Sequence, residues 1–300
     1  MSSTKKVKIL VPIIIVLFFV AYAEHRHHNK QLDTTGRLRD KTMNEISGIA
    51  ASGIRDNIYY VHNDSGDSSR LFAITPDGFL KNIIYFKGDP KEPLGVHDCE
   101  DIDVSVGPIK GKSYIYLGDI GDNGNERKFL TVYRIEEKKA WDKDSLVKAA
   151  AVSANYRYPD GAKDAEAMMV DPIEKLIYIV SKRDDSVGVY TAPLIFKPND
   201  TVTLEKRCKL HFNGFRPFKW ITAADISKDG QQVLVKSYEK VYYWKRSNNE
   251  PIWKTMLNKP QELPYKAEKQ GEAIGFTPDG KGYYTTSEGV FAPIYYYKVP

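Results

Sequence analysis

Three hundred residues, 42% of them hydrophobic and 12% aromatic, are enough to bury one large core, and no interior linker divides them. Twenty tyrosines against five methionines, together with many β-branched runs, favour strands over helices. The net charge of +5 is scattered, with no basic block and no arginine run interleaved with aromatics, so no nucleic-acid partner is expected.

The chain opens with Lys5, Lys6 and Lys8, an apolar run over 9–20, and Ala21, Tyr22 and Ala23, the pattern of a secretory signal ending in a small-residue cleavage site. The apolar run is shorter than the roughly 20 residues of a spanning helix. Residues 1–23 therefore read as a signal peptide or a retained signal anchor. The protein is expected to be secreted or extracytoplasmic, touching a membrane only through an uncleaved N-terminal segment. Residues 24–30 (EHRHHNK) read as a solvated tail rather than a metal site. Residues 31–41 belong to no repeat, whereas the last repeat stops after its third strand. Residues 24–42 are thus expected to be a tail followed by a ring-closing strand, and 43–300 the folded domain.

Self-similarity recurs at roughly 50 to 65 residues, with three or four short strands per unit, the mark of a propeller rather than a sandwich. The units align on Ile49, Ile102, Met168, Ile226 and Ile274. Two positions earlier stand Ser47, Glu100, Glu166, Ala224 and Glu272; four positions earlier stand Glu45, Asp98, Asp164, Thr222 and Gln270. A second strand follows in each unit (58–61, 114–117, 177–180, 233–236 and 283–286) and is left through Asn63, Asp119, Ser181, Ser237 or Ser287. Third strands read LFAI, TVYRI, GVYTA, KVYYW and PIYYY. Five units are counted, so an all-β, five-bladed or at most six-bladed propeller closed by an N-terminal strand is expected. Residues 141–151 suggest a helical excursion in unit two.

The first strand of each blade lines a propeller's channel. Alternation then puts the acids of both earlier columns on one face and gathers Glu100, Glu166 and Glu272 at one mouth, with Glu45, Asp98 and Asp164 close by. Carboxylates so gathered must share protons or a cation, and an oxygen-only set suits Ca²⁺ better than Zn²⁺. Asp119 and Asn63 are further candidate ligands, and Lys182 and Arg183 candidate contacts for an anionic substrate. His62 and His97 read as packing or hydrogen-bonding residues. Cys99 and Cys208, in different units, either pair in an oxidising compartment or stay apart. Of the two glycosylation sequons, at Asn63 and Asn199, the second lies in the more loop-like sequence.

The segments HNDSGDSSRLFAITPDG, CEDI with YIYLGDIGDN, YPDGAKDAEAMMVDP and QGEAIGFTPDGKGYYTTSEG resemble a family of exported, largely uncharacterised β-propellers, loosely similar to phytase-like and esterase-like propellers. The resemblance implies a calcium-bound carboxylate cluster that holds a phosphate ester and activates water, with Glu100, Glu166 and Glu272 as ligands and Asp119 or Glu45 beside them. Two readings stand together. One is a calcium-dependent hydrolase of phosphate or other esters; the other is a non-catalytic propeller holding a small anionic ligand or an extracellular partner around structural calcium. No G-x-S-x-G nucleophile motif is present.

Overall fold

The structure, a computed structural model, describes residues 33–300; the signal segment and histidine-bearing tail lie outside the described residues. Among the described residues, no helix is long and apolar enough to cross a membrane.

Each repeat folds into an antiparallel sheet, and five such sheets make the blades. The strand β1 (Asp33–Arg37) leads into blade one, which is β2 (Ile46–Ala51), β3 (Tyr59–Asn63), β4 (Arg70–Ile74) and β5 (Leu80–Phe86). Blade two begins with β6 (Cys99–Val106), β7 (Ser113–Asp119) and β8 (Leu130–Glu136). The chain then makes a short 3₁₀ turn at Lys139–Lys143, lays β9 (Leu146–Ala149) parallel to β5 of blade one, and returns as β10 (Ala151–Arg157). The expected helical excursion is therefore a single turn that delivers a strand to the neighbouring blade. Blade three repeats the device: after β11 (Ala165–Asp171), β12 (Leu176–Ser181) and β13 (Ser186–Pro193), the chain sends β14 (Asp200–Thr203) onto β10 of blade two before β15 (Glu205–His211). Both excursions cover outer edges that would otherwise be open to another chain. Blade four is β16 (Ile221–Ile226), β17 (Gln232–Ser237), β18 (Val241–Lys245) and β19 (Gln261–Leu263). Blade five is β20 (Ala273–Phe276), β21 (Gly282–Thr286) and β22 (Pro293–Lys298), and β1 supplies its outer strand. Beside this closure the Thr35 hydroxyl donates to the Ile294 carbonyl at 3.2 Å, and Leu38 N–H donates to Ala292.

The innermost strands β2, β6, β11, β16 and β20 pack each on the next and the last on the first, closing the ring. Where β20 meets β2 the backbones nearly touch: a Cβ on Gly275 would lie 2.2 Å from the Ile49 carbonyl oxygen, so only glycine allows this approach. The core lies between blades rather than within one. Ile102 and Ile115 pack with Tyr60 and Leu71 of the preceding blade, and Met168 and Ile179 pack with Tyr116 and Val132. This explains why middle strands such as LIYIVS are apolar on both faces.

Buried acids on the inner strands tie blades together. Asp101, fully buried, accepts from its neighbour Ile102 N–H and, through Oδ2, from Met168 N–H of blade three and Ala224 N–H of blade four, at 2.9 and 3.1 Å. Asp103 accepts from Val170 N–H, and Asp225 from Phe276 N–H. Further out, Arg246 of blade four forms a fully buried ion pair with Asp171 of blade three.

Candidate functional site

The starts of four of the five inner strands carry the first departure from simple alternation. Pairing with the second strand skips one residue between Ile46 and Gly48, Cys99 and Asp101, Ala165 and Ala167, and Ile221 and Ala223. The bulged residues are Ser47, Glu100, Glu166 and Thr222. A bulge re-aims a side chain and tightens the local twist, so Glu100 and Glu166 leave the alternating pattern instead of sharing a face with their apolar anchors, while Glu272 lies just before β20. The register also corrects the alignment of unit four. Ala224 pairs with Val235 as Ile102 pairs with Leu117, so Thr222, not Ala224, occupies the glutamate position.

The glutamates meet at one mouth. A cavity of about 660 Å³ is lined by Glu100, Glu166 and Glu272 from three blades, and Lys182 and Arg183 line it too. Asp64, from the loop leaving β3, and Glu288, from the loop leaving β21, join them. Carboxylate oxygens of Asp64, Asp98 and Glu100 lie within 4.8 Å of one another, as do those of Asp64, Glu272 and Glu288. Asp64 is shared, so five carboxylates from blades one, two and five form one connected cluster. A Cβ on Gly121 would stand 2.3 Å from Glu100 Oε1 and 2.4 Å from Asp98 Oδ2, so the backbone at this glycine is the floor on which both carboxylates rest.

Burial and, for most of them, mutual repulsion hold Asp64, Asp98, Glu100 and Glu288 above their usual range. Burial, then the Asp98 charge, pushes the Asp64 carboxyl up to about 7. Burial, then Glu272, pushes Glu288 up to about 8. Glu100 rises well above the ordinary glutamate value through burial, then Asp64 and Asp98. Asp98 is raised by burial, with Arg127 opposing. Glu272 is steadied by the Tyr238 hydroxyl, which donates to its Oε1 at 2.5 Å.

Around this cluster run the basic residues. Lys182 pairs with Glu166 Oε1, and its ammonium lies 5.5 Å from the Tyr238 ring centre. Glu166 Oε2 is buried with no hydrogen-bond partner among the described residues. Arg183 pairs with Asp164 at 2.5 Å, donates to the Asn123 side chain, and stacks 5.0 Å from Trp220. Blade four, with Thr222 in place of a glutamate at the bulge, brings Lys236: fully buried, it donates to Thr222 Oγ1 and the Gly271 carbonyl, and burial lowers its ammonium to about 8.

The remaining candidates serve elsewhere. Asp119 accepts from His97 and Asp98 N–H groups and pairs with Arg127 at 2.7 Å. Asn63 donates to Thr42 O and Asp67 and accepts from Glu45 N–H, a turn clamp. Glu45 has an exposed side chain, and its carbonyl receives Asp64 N–H. His62 is buried with Nδ1 against the Asn63 carbonyl, and burial lowers it to about 4, whereas His97 pairs with Glu92 at 3.2 Å. Both cysteines are free thiols. Asn199 is exposed in a turn, unlike the buried Asn63.

Sequence reasoning passed over Asp64 and Glu288 as cluster members. The signal for them was positional: each follows the strand-exit column by one residue, Asn63 and Ser287 respectively. No family model matches the chain, and neither does any curated protein sequence.

Proposed function

We propose that the protein is an extracytoplasmic propeller whose acidic mouth binds calcium and presents it to an anionic ester for hydrolysis. The observation that carries this reading is the five-carboxylate cluster of Asp64, Asp98, Glu100, Glu272 and Glu288, with Asp64 common to both close triads. An all-oxygen set drawn from loops and bulges matches the flexible, high coordination that Ca²⁺ takes. A divalent ion also relieves the mutual repulsion within the cluster. The motif resemblance to phytase-like propellers supports the same choice.

Bound there, the ion would supply positive charge to an ester's developing negative charge. The chain's own residues would do the rest. Lys182 and Arg183 orient the anion, and the unpartnered Oε2 of Glu166 accepts a proton from water. A second reading, a non-catalytic binding propeller with structural calcium, is favoured by the Lys182–Glu166 ion pair, which occupies the other oxygen of that base.

Calorimetric titration with Ca²⁺ tests the site, and a panel of phosphomonoesters and lactones with and without chelator separates the readings. Glu272→Gln is expected to weaken calcium by roughly tenfold or more, since even outer-shell partners of metal ligands carry that much. No calcium heat from the wild-type protein would end the proposal. Hydrolysis abolished by chelator and by Glu166→Gln supports the enzyme, and calcium binding without turnover supports the binding module. Gly121→Ala is a steric test of the same floor: its methyl must displace Glu100 or Asp98, and calcium affinity is expected to fall roughly tenfold, the size of a modest overpacking cost.

A further inference from the structure

The mouth is much larger than an ion needs. About 660 Å³ falls in the range of sites that enclose an organic molecule, whereas a single water takes only about 30 Å³. Its walls are also unlike. Besides the carboxylates, Pro217, Phe218 and Trp220 line the cavity, all from the loop that joins β15 of blade three to β16 of blade four. Phe218 is 51% exposed and the neighbouring Phe215 84%, a pair of large apolar rings left in water on a loop that is itself well anchored. Arg216 and Lys219 both reach Asp185 in blade three, at 2.5 and 3.5 Å, and Trp220 N–H donates to the Pro217 carbonyl. The stacking of Arg183 on Trp220 then joins this apolar wall to the basic edge formed by Lys182 and Arg183. Positive charge and flat apolar surface thus stand side by side in the same cavity as the acids.

We infer that the ligand of this mouth is an organic anion carrying a flat apolar group, its charge held between the calcium cluster and Lys182 and Arg183 and its ring laid against Phe218 and Trp220. This rests on the calcium reading above and adds the class of molecule. The anionic end is selected by Lys182 and Arg183, which adjoin the aromatic wall through the Arg183–Trp220 stack, and by the bound cation that the anion would coordinate. The aromatic wall selects a flat partner, since offset and edge-to-face ring contacts add to simple burial.

The test is titration of the full chain, at saturating Ca²⁺, with the non-hydrolysable phenylphosphonate and with inorganic phosphate. Phenylphosphonate is expected to bind roughly tenfold more tightly, the gain typical of one well-placed ring contact plus its buried area. Phe218→Ala, at a half-exposed site that leaves the core untouched, is expected to remove that preference while inorganic phosphate binds as before. Equal affinity for the two probes overturns the inference, as does a Phe218→Ala variant that loses both alike. Absence of calcium heat sinks the underlying reading as well, so the two failures are distinguishable.

Discussion

Replacing Asp101 with alanine is expected to destabilise the propeller by about 4 kcal/mol, with a fall in melting temperature of roughly 10 °C. Three buried backbone N–H groups, those of Ile102, Met168 and Ala224, lose their acceptor at once, and they belong to three different blades. Each orphaned donor costs about 1–3 kcal/mol, partly offset because an expensive buried carboxyl also disappears. Burial pushes that carboxyl well up, and the same three N–H groups pull it down, so the ties and the carboxylate sustain each other. Asp101→Asn should fall between the two, as an amide oxygen still accepts but its NH₂ confronts a donor. Urea unfolding followed by far-UV circular dichroism measures this. A change below about 1 kcal/mol for alanine would show that the ring holds without its axial carboxylate.

The five-blade architecture was legible because each unit repeats one physical demand. Ile49, Ile102, Met168 and Ile274 all fill inter-blade core, and Asn63, Asp119, Ser181 and Ser237 all close the pairing at the far end of the second strand. The unpaired final blade likewise pointed to the strand now seen at Asp33–Arg37. The meeting of Glu100, Glu166 and Glu272 with Lys182 and Arg183 followed from the ring. The way Glu100 and Glu166 point did not, because a bulge inserts one residue without any sequence mark, and alternation counted across it assigns the wrong face. Ala224 takes the place of Thr222 in the sequence alignment for a different reason: unit four aligns on the larger Ile226, whereas the small Ala224 holds the anchor position. Asp64 sits in HNDSGD, whose composition says turn, and its role depends on the acids of blades two and five coming close, which is tertiary information. Asp119 illustrates the converse: Arg127, a few residues later in a loop, closes over it and leaves it a structural latch.

Calcium should stabilise the protein strongly at pH 8 and hardly at all at pH 5. Without the ion, the folded cluster holds protons that the unfolded chain has released: Asp64 titrates at about 7 against an ordinary 3.8, and Glu288 at about 8 against 4.5. Between these limits the folded state binds more protons than the unfolded, so the cluster's contribution makes ion-free stability fall as pH rises from 5 to 8. A bound cation reverses the sign, since it favours the ionised carboxylates and competes with the protons for them. At pH 8 and a free concentration of 100 times Kd, calcium should add about 2.7 kcal/mol and raise the melting temperature by roughly 5 to 10 °C. Lowering the pH to 5 should erase this increment. Calorimetry at pH 7 in two buffers of different ionisation enthalpy should show at least one proton leaving for each calcium taken up. Stabilisation of equal size at both pH values, or binding heats indifferent to the buffer, would mean that the ion does not sit among Asp64, Glu100 and Glu288.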